Sequence, residues 1–390
     1  MTSYSTRAPY GGDAPSAREG SNALPYVIAV FLGIAVAVLA IVTVVLVHTA
    51  DNARDEATAA AKAMSSMPGM SAGSTAQTGA ASQPLESFAG VVPANAADLA
   101  AAHAARVAAL PAVPAGNLVK VHMTMKNMVI EVAPGVKYES WAFDGHGAPG
   151  PFIHVRQGQT VQMTLTNDGT IPHSIDFHAA RIAPNVAFKD VAPGQSFTFR
   201  FTASDPGVFM YHCGTKPVLM HIANGMYGAI VVDPKTPLPH ADRSYVLVAS
   251  EWYLSNDGIA QPASFDMAKA HASTPDWMTF NGYANQYVTH PLTADPGDTV
   301  RFYVVDAGPT MNTNFHIVGT LLNRAWVNAD MTQYQRDVQT AIVPAGGGGV
   351  FDVKIDQPGL YPFVSHAFAH VDLGQVGLLN VGNVQGTMSH

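Results

Sequence analysis

The sequence predicts an all-β fold: two Greek-key β-sandwiches of similar pattern, preceded by one N-terminal membrane helix and an alanine-rich tether. Three observations predict it. Beyond residue 116 the chain breaks into short runs punctuated by Pro-Gly and Gly, such as Val161, Met163 and Leu165 in VQMTLTN and Phe197, Phe199 and Phe201 in FTFRFTA. Alternation with period two places those side chains on one face of a strand, which a helix cannot do, and the spacing indicates antiparallel sandwiches. The pattern also occurs twice. Residues 191–213, VAPGQSFTFRFTASDPGVFMYHC, correspond to 343–366, VPAGGGGVFDVKIDQPGLYPFVSH, and DFH at 176–178 corresponds to NFH at 314–316. Residues 1–116 have none of this texture and contain one long apolar run.

Residues 1–25 form a short tail carrying Arg7 and Arg18. Residues 26–47, YVIAVFLGIAVAVLAIVTVVLV, are 22 uncharged residues, and at about 1.5 Å per residue such a helix crosses a hydrocarbon core of about 30 Å. A cleaved signal peptide has an apolar run of only about 7 to 15 residues, so an uncleaved single-pass anchor is expected. Lys and Arg on the two flanks barely differ, and the side is assigned from the short tail: the C-terminal mass is expected outside the cytoplasm. Residues 48–116, rich in Ala, Ser, Gly and Pro, read as a flexible tether, with a short helix at 98–110 starting on Asp98. Met64, Met67 and Met70 lie within it and would be able to collect copper ions, although methionine in such a linker is more often incidental. The two sandwiches are expected at 117–234 and 244–383, joined by DPKTPLPHADR, each of a size suited to seven to nine strands.

Composition narrows the chemistry. In 390 residues 48% are hydrophobic, so the chain has cores to bury, while only 12% are charged and the net charge is −8. That balance leaves no basic field for a phosphate backbone, and nucleic acid is not expected as a partner. A single cysteine, Cys213, excludes an intrachain disulfide framework, yet it stands among 16 His and 16 Met, the side chains that ligate copper.

His173, Cys213, His221 and Met226 supply two imidazoles, a thiolate and a thioether, the donor set of a blue-copper electron-transfer site. Any one of them could be a core residue, but the only cysteine of the chain falls in the spacing Cys-x7-His-x4-Met. His212 adjoins Cys213, and neighbours on a strand point to opposite faces, so one strand can serve two metals. His178 and His212 suggest a second site that needs a further nitrogen, and His366, at the end of the repeat-equivalent strand, is the candidate. Three imidazoles with an open position make a catalytic centre. Asp176, between His173 and His178, can lean toward that centre and pass protons, and His316 reads as the repeat equivalent of His178 freed from ligation.

HSIDFHAA, YHC, HIANGMYGAIVV, FHIVG, IVPAGG and the late SHAF segment resemble, in the same order, the copper-containing nitrite reductases, over residues 119–381. The short Cys213–His221 loop is similar to one subgroup of that family. The resemblance implies two cupredoxin-like domains. It implies one type 1 copper per chain on His173, Cys213, His221 and Met226, and one type 2 copper on His178 and His212 with His366 of a neighbouring subunit in a homotrimer. It also implies that Asp176 and His316 deliver protons, that Val318 is the apolar residue above the substrate copper, and that a cupredoxin or cytochrome donates electrons for the reduction of nitrite to nitric oxide. RIAPNVAFKD, after HAA, departs from the glycine-rich family pattern, and the membrane helix and tether are additions. Two other readings stay open from the residues alone. A laccase-type oxidase needs His-x-His pairs, of which the chain has none, and a membrane-tethered copper electron carrier would use only the first site.

Overall fold

The computed structural model describes residues 93–145, 147–255, 259–327 and 330–386. The N-terminal tail, the expected membrane helix at 26–47, the methionine cluster and the tether as far as residue 92 lie outside the described residues. Among the described residues no helix is long and apolar enough to cross a membrane.

The first sandwich is built from β1 (Leu118–Ala133), β2 (Val136–Phe143), β3 (Ile153–Arg156), β4 (Thr160–Asn167), β5 (Asp176–Phe177), β6 (Ser196–Thr202), β7 (Gly207–His212) and β8 (Tyr227–Asp233). They form two four-stranded sheets, ordered β2-β1-β4-β6 and β3-β8-β7-β5. The second comprises β9 (Arg243–Trp252), β10 (Trp277–Phe280), β11 (Leu292–Ala294), β12 (Thr299–Asp306), β13 (Thr313–Ile317), β14 (Leu322–Val327), β15 (Gln335–Val338), β16 (Thr340–Val343), β17 (Gly348–Lys354), β18 (Gly359–Ser365) and β19 (Val376–Val381). Its sheets are ordered β10-β9-β12-β17-β14-β15 and β11-β19-β18-β13-β16. Strand for strand this repeats the first sandwich, with β14, β15 and β16 added between the equivalents of β5 and β6. Among the described residues six short helices occupy connections: α1 (Ala96–Ala102), α2 (Pro184–Ala187), α3 (Val218–Ala223), α4 (Met267–Ala272), α5 (Gln286–Thr289) and α6 (Phe368–Asp372).

The sheets are mixed where the sequence suggested antiparallel ones. β1 runs parallel to β4, β3 to β8, β9 to β12 and β11 to β19. Period-two alternation reveals which face of a strand is buried and carries no information about the direction of its neighbour.

The alternation itself holds. Val161, Met163 and Leu165 of β4 point into the first core with Phe199 and Phe201 of β6. β9 and β12 are buried on both faces because each lies between two cores. Leu247, Ala249, Phe302 and Val304 enter the second sandwich's own core, while Val246, Val248, Tyr303 and Val305 join Val208, Met210, Ala229 and Val231 in a third cluster between the sandwiches. Asp352, fully buried on β17, is held by Arg301 at 2.7 and 2.9 Å and by Arg324 at 3.0 Å.

The expected tether ends earlier than residue 116. Helix α1 begins two residues before Asp98 and stops at His103, whose ring stacks on Tyr283 at 3.6 Å. The chain then runs extended, buries Ala108 in the second core, bridges Ala109 to Tyr245 and presents the Pro111 carbonyl to His154 Nδ1 at 2.6 Å. Alanine-rich composition concealed this docking, since a strand edge held by backbone hydrogen bonds needs no distinctive side chains.

Candidate metal centres

β7 ends at His212, and Cys213 follows it into a loop that closes on itself. The Cys213 N–H donates to the Met226 carbonyl at 3.0 Å and the Met226 N–H to the His221 carbonyl at 3.2 Å. Inside the loop lies α3, preceded by Pro217 and carrying His221 in its last turn. His173 comes from the other side, fixed just before β5 by paired backbone bonds with Val191 at 3.2 and 2.7 Å.

These elements bring Cys213 Sγ within 3.2 Å of His221 Nδ1 and 4.0 Å of His173 Nδ1, with 3.1 Å between the two nitrogens. All three side chains are buried, and Met226 is buried in the same apolar cluster as Cys213. The Trp141 ring leans on both imidazoles, with centroids 5.4 Å from His173 and 4.8 Å from His221. Burial pushes His173 and His221 down to about 4 and raises the Cys213 thiol, which hydrogen bonds from Ser174 oppose. Neutral imidazoles are what a metal binds, and the cation itself supplies the charge that turns such a thiol into thiolate.

The second cluster lies on the other side of the same strand end. His178 Nε2 and His212 Nε2 are 3.1 Å apart, and Asp176 Oδ2 is 4.0 Å from His212 Nε2. β5 pairs Asp176 with His212 across the ladder, which sets this proximity. Each imidazole donates Nδ1–H to a carbonyl, His212 to Cys213 at 2.9 Å and His178 to Gly346 at 2.8 Å. Carbonyls only accept, so the proton sits on Nδ1 and both Nε2 lone pairs face each other. Two facing lone pairs repel unless a cation lies between them, so the pair fits a metal. Burial also holds His212 below its ordinary value.

The Gly346 carbonyl belongs to the second sandwich, and sequence reasoning missed it. The signal was the four-glycine run at 346–349. Gly346 has φ +79°, and a Cβ there would meet His178 Cε1 at 3.4 Å.

His316 and His366 form a third group. Their ring centroids are 4.9 Å apart, His316 Nδ1 meets the Gln339 carbonyl at 2.6 Å, and the exposed His366 is anchored through its N–H to Asn314 O at 2.7 Å. Among the described residues the donors that converge with His178 and His212 include Asp176 and no third imidazole.

The equivalence of His316 with His178 is corrected by the ladders. Asp176 stands opposite His212, and His316 opposite Val364. The His178 N–H donates to Met210 O, the Val318 N–H to Pro362 O. His316 therefore occupies the place of Asp176, and Val318 that of His178. Aligning DFH with NFH erred by two residues, a slip that keeps every side chain on its face and so leaves the hydrophobic pattern unchanged.

Family models described as multicopper oxidase match residues 124–237 and 243–379. A copper-containing nitrite reductase of Neisseria meningitidis serogroup B is 40% identical over 274 residues, 69% of this chain and 69% of that protein. The chain belongs to the copper-containing nitrite reductases. Copper is therefore the metal of this enzyme. The solved copper nitrite reductase of Nitrosomonas europaea is similar with a TM-score of 0.62 and 35% identity, over 68% of this chain and 94% of that one. A copper nitrite reductase from Thermus scotoductus gives 0.63 and 27%, over 70% and 64%. A laccase of Botrytis aclada, 17% identical with a TM-score of 0.58, shares the fold.

Proposed function

We propose that this copper nitrite reductase takes one electron and two protons per nitrite and releases nitric oxide and water. His173, Cys213, His221 and Met226 would hold a type 1 copper. His178 and His212, with His366 of the partner subunit, would hold a type 2 copper in a homotrimer. Bound there, the two coppers would supply one-electron redox chemistry, the His173–Cys213–His221–Met226 site for entry of an electron from a cupredoxin or cytochrome and the His178–His212 site for its delivery to nitrite.

One observation carries the reading. His212 and Cys213, adjacent in sequence, belong to two donor clusters on opposite sides of one strand end, so a single peptide joins them. Buried walls and paired backbone bonds hold the first cluster rigid, as electron transfer with little reorganisation requires. The carbonyls of Cys213 and Gly346 fix the tautomers of the second. Asp176, half-buried, holds a carboxyl beside His212 Nε2, where it can donate a proton to the departing oxygen and recover one from solvent. His316 presents Nε2 while its Nδ1 is bonded to Gln339 O. Exposure of His366, and the lack among the described residues of a third imidazole beside His178 and His212, support completion of the centre by a second copy of the chain. The 22 uncharged residues at 26–47 support a membrane anchor.

The test is to load the purified protein with copper, count metals, record the EPR spectrum, and follow nitric oxide from nitrite with a reduced dye under anaerobic conditions. Two copper signals and nitric oxide are expected. Two signals without nitric oxide would refute the function and leave the fold intact.

A further inference from the structure

We infer that the second sandwich contains a latent copy of the first sandwich's metal pocket, at Thr313, Ser365, His370 and Gln375, closed by hydrogen bonds in place of an ion. The inference rests on the assignment of His173, Cys213, His221 and Met226 as copper ligands and concerns a place that the assigned centres do not use.

The correspondence follows from backbone bonds. Val191 bridges His173 in the first sandwich, and Val343 pairs with Thr313 in the second. The Ser174 N–H donates to Cys213 Sγ at 3.4 Å, and the Asn314 N–H to Ser365 Oγ at 3.1 Å. Cys213 N–H bonds Met226 O at 3.0 Å, and Ser365 N–H bonds Gln375 O at 3.4 Å. Met226 N–H bonds His221 O at 3.2 Å, and Gln375 N–H bonds His370 O at 2.9 Å. His221 sits in the last turn of α3 and His370 in the last turn of α6, each five residues before its partner. Position by position, His173, Cys213, His221 and Met226 therefore become Thr313, Ser365, His370 and Gln375.

The side chains converge as their counterparts do. Ser365 Oγ and His370 Nδ1 are 2.9 Å apart, where Cys213 Sγ and His221 Nδ1 are 3.2 Å apart. Gln375 Nε2 donates to Thr313 Oγ1 at 3.3 Å. All four are buried, three of them completely. Buried polar residues need a reason, and here two hydrogen bonds pair them off while Gln375 Oε1 is left buried without a partner. The imidazole survives; the thiolate, the thioether and the second imidazole are replaced by two hydroxyls and an amide. That set carries no negative charge and no soft donor, so it offers little to copper and instead bonds to itself. The frame remains, and only the donors have changed.

The test restores them. In a C213S background, which removes the first pocket's thiolate, T313H/S365C/Q375M is expected to bring back a strong thiolate-to-copper absorption band and one copper per chain relative to C213S alone. The proton of the introduced thiol leaves to solvent as Cu(II) binds, with no change of oxidation state. A folded variant, judged by an unchanged type 2 EPR signal, that lacks the band and the extra copper overturns the inference. Should the triple variant not fold, C213S/S365C is challenged with Co(II). One ion per chain with a thiolate charge-transfer band supports the pocket, and no binding beyond C213S overturns it. The two readings fail separately: a wild-type chain with no thiolate–copper band sinks the type 1 assignment, whereas a wild-type band with none in the variants sinks only the latent pocket.

Discussion

Asp176→Asn isolates the proton from the electron. The carboxyl is about one-third exposed and lies 4.0 Å from the neutral His212 Nε2, so the exchange of an oxygen for an amide nitrogen removes no well-made hydrogen bond. A pair that exposed is worth about 0 to 1 kcal/mol to the fold, and thermal unfolding should barely move. Near a divalent ion the lost charge matters somewhat more. Two unit charges 4 Å apart in water attract by about 1 kcal/mol, so the loss is ~2 kcal/mol, roughly a factor of 30 in affinity, and copper supplied in excess still fills the centre. Proton transfer by a positioned acid is worth about 10² to 10⁴ in rate, or ~3 to 5 kcal/mol of barrier. The expected variant is correctly coloured, carries two coppers per chain and makes nitric oxide at least about a hundredfold more slowly. Anaerobic turnover on an NO electrode, alongside a metal count and EPR, reads all three. Loss of type 2 copper, or turnover within about tenfold of the parent, would refute the role given to Asp176.

His366→Ala should remove type 2 copper and activity while preserving the thiolate absorption of the first centre; surviving activity would refute the three-imidazole centre. Asp352→Ala leaves Arg301, only 7% exposed, without its carboxylate, and should destabilise the protein by about 3 to 5 kcal/mol in denaturant titration. In copper-free protein His173 and His221 are held near 4, below the ordinary 6.5, so the unfolded chain binds more protons between those values. Stability is therefore full above pH 6.5 and falls as pH drops toward 4. Copper should steepen that slope, because ligation keeps protons off both imidazoles and displaces the thiol proton of Cys213, and thermal melts with and without metal at pH 7 and pH 5 check it. Gly348→Ala would place a Cβ 2.4 Å from Val208 O, costing about 1 to 3 kcal/mol. It should lower type 2 copper occupancy before it affects the type 1 colour; equal loss at both centres would refute the coupling.

The first centre was legible because its chemistry is rare: one cysteine, with a fixed loop to a histidine and a methionine, leaves few alternatives. The repeat was legible for a different reason, since a hydrophobic alternation interrupted by Pro-Gly survives divergence. What the sequence hid was phase and partnership. The sequence pattern pairs His316 with His178, yet His316 stands at the place of Asp176, because a two-residue slip costs the pattern nothing. The Gly346 carbonyl has no side chain to read. Thr313, Ser365, His370 and Gln375 look like scattered polar residues until backbone bonds put them in the frame of the first pocket. Extended residues 103–117 lack any strand-like composition, yet Ala108 and Leu110 pack where a longer side chain of the same strand edge would have announced itself.

Those omissions share a cause that bears on how the enzyme works. The groups that position His178 and His212 come from both sandwiches, and the seam between them sets their spacing. β7, which ends in His212, packs its Val208 and Met210 against β12 and β17 through the third apolar cluster. β17 begins at the end of the glycine run, where Gly348 approaches Val208 closely enough that a Cβ would collide with its carbonyl. Two residues earlier, Gly346 is tied on both sides to β12, its N–H to Asp306 O at 2.7 Å and the Asp306 N–H to Gly347 O at 3.0 Å. Its carbonyl then selects the tautomer of His178. A shift of the seam by a fraction of an ångström moves that carbonyl with β17 while Cys213, His173 and His221 travel together with the first sandwich. The first centre is thus a property of one sandwich, and the second is a property of the way two sandwiches meet. Perturbations of the seam should therefore reach nitrite chemistry while leaving electron entry intact.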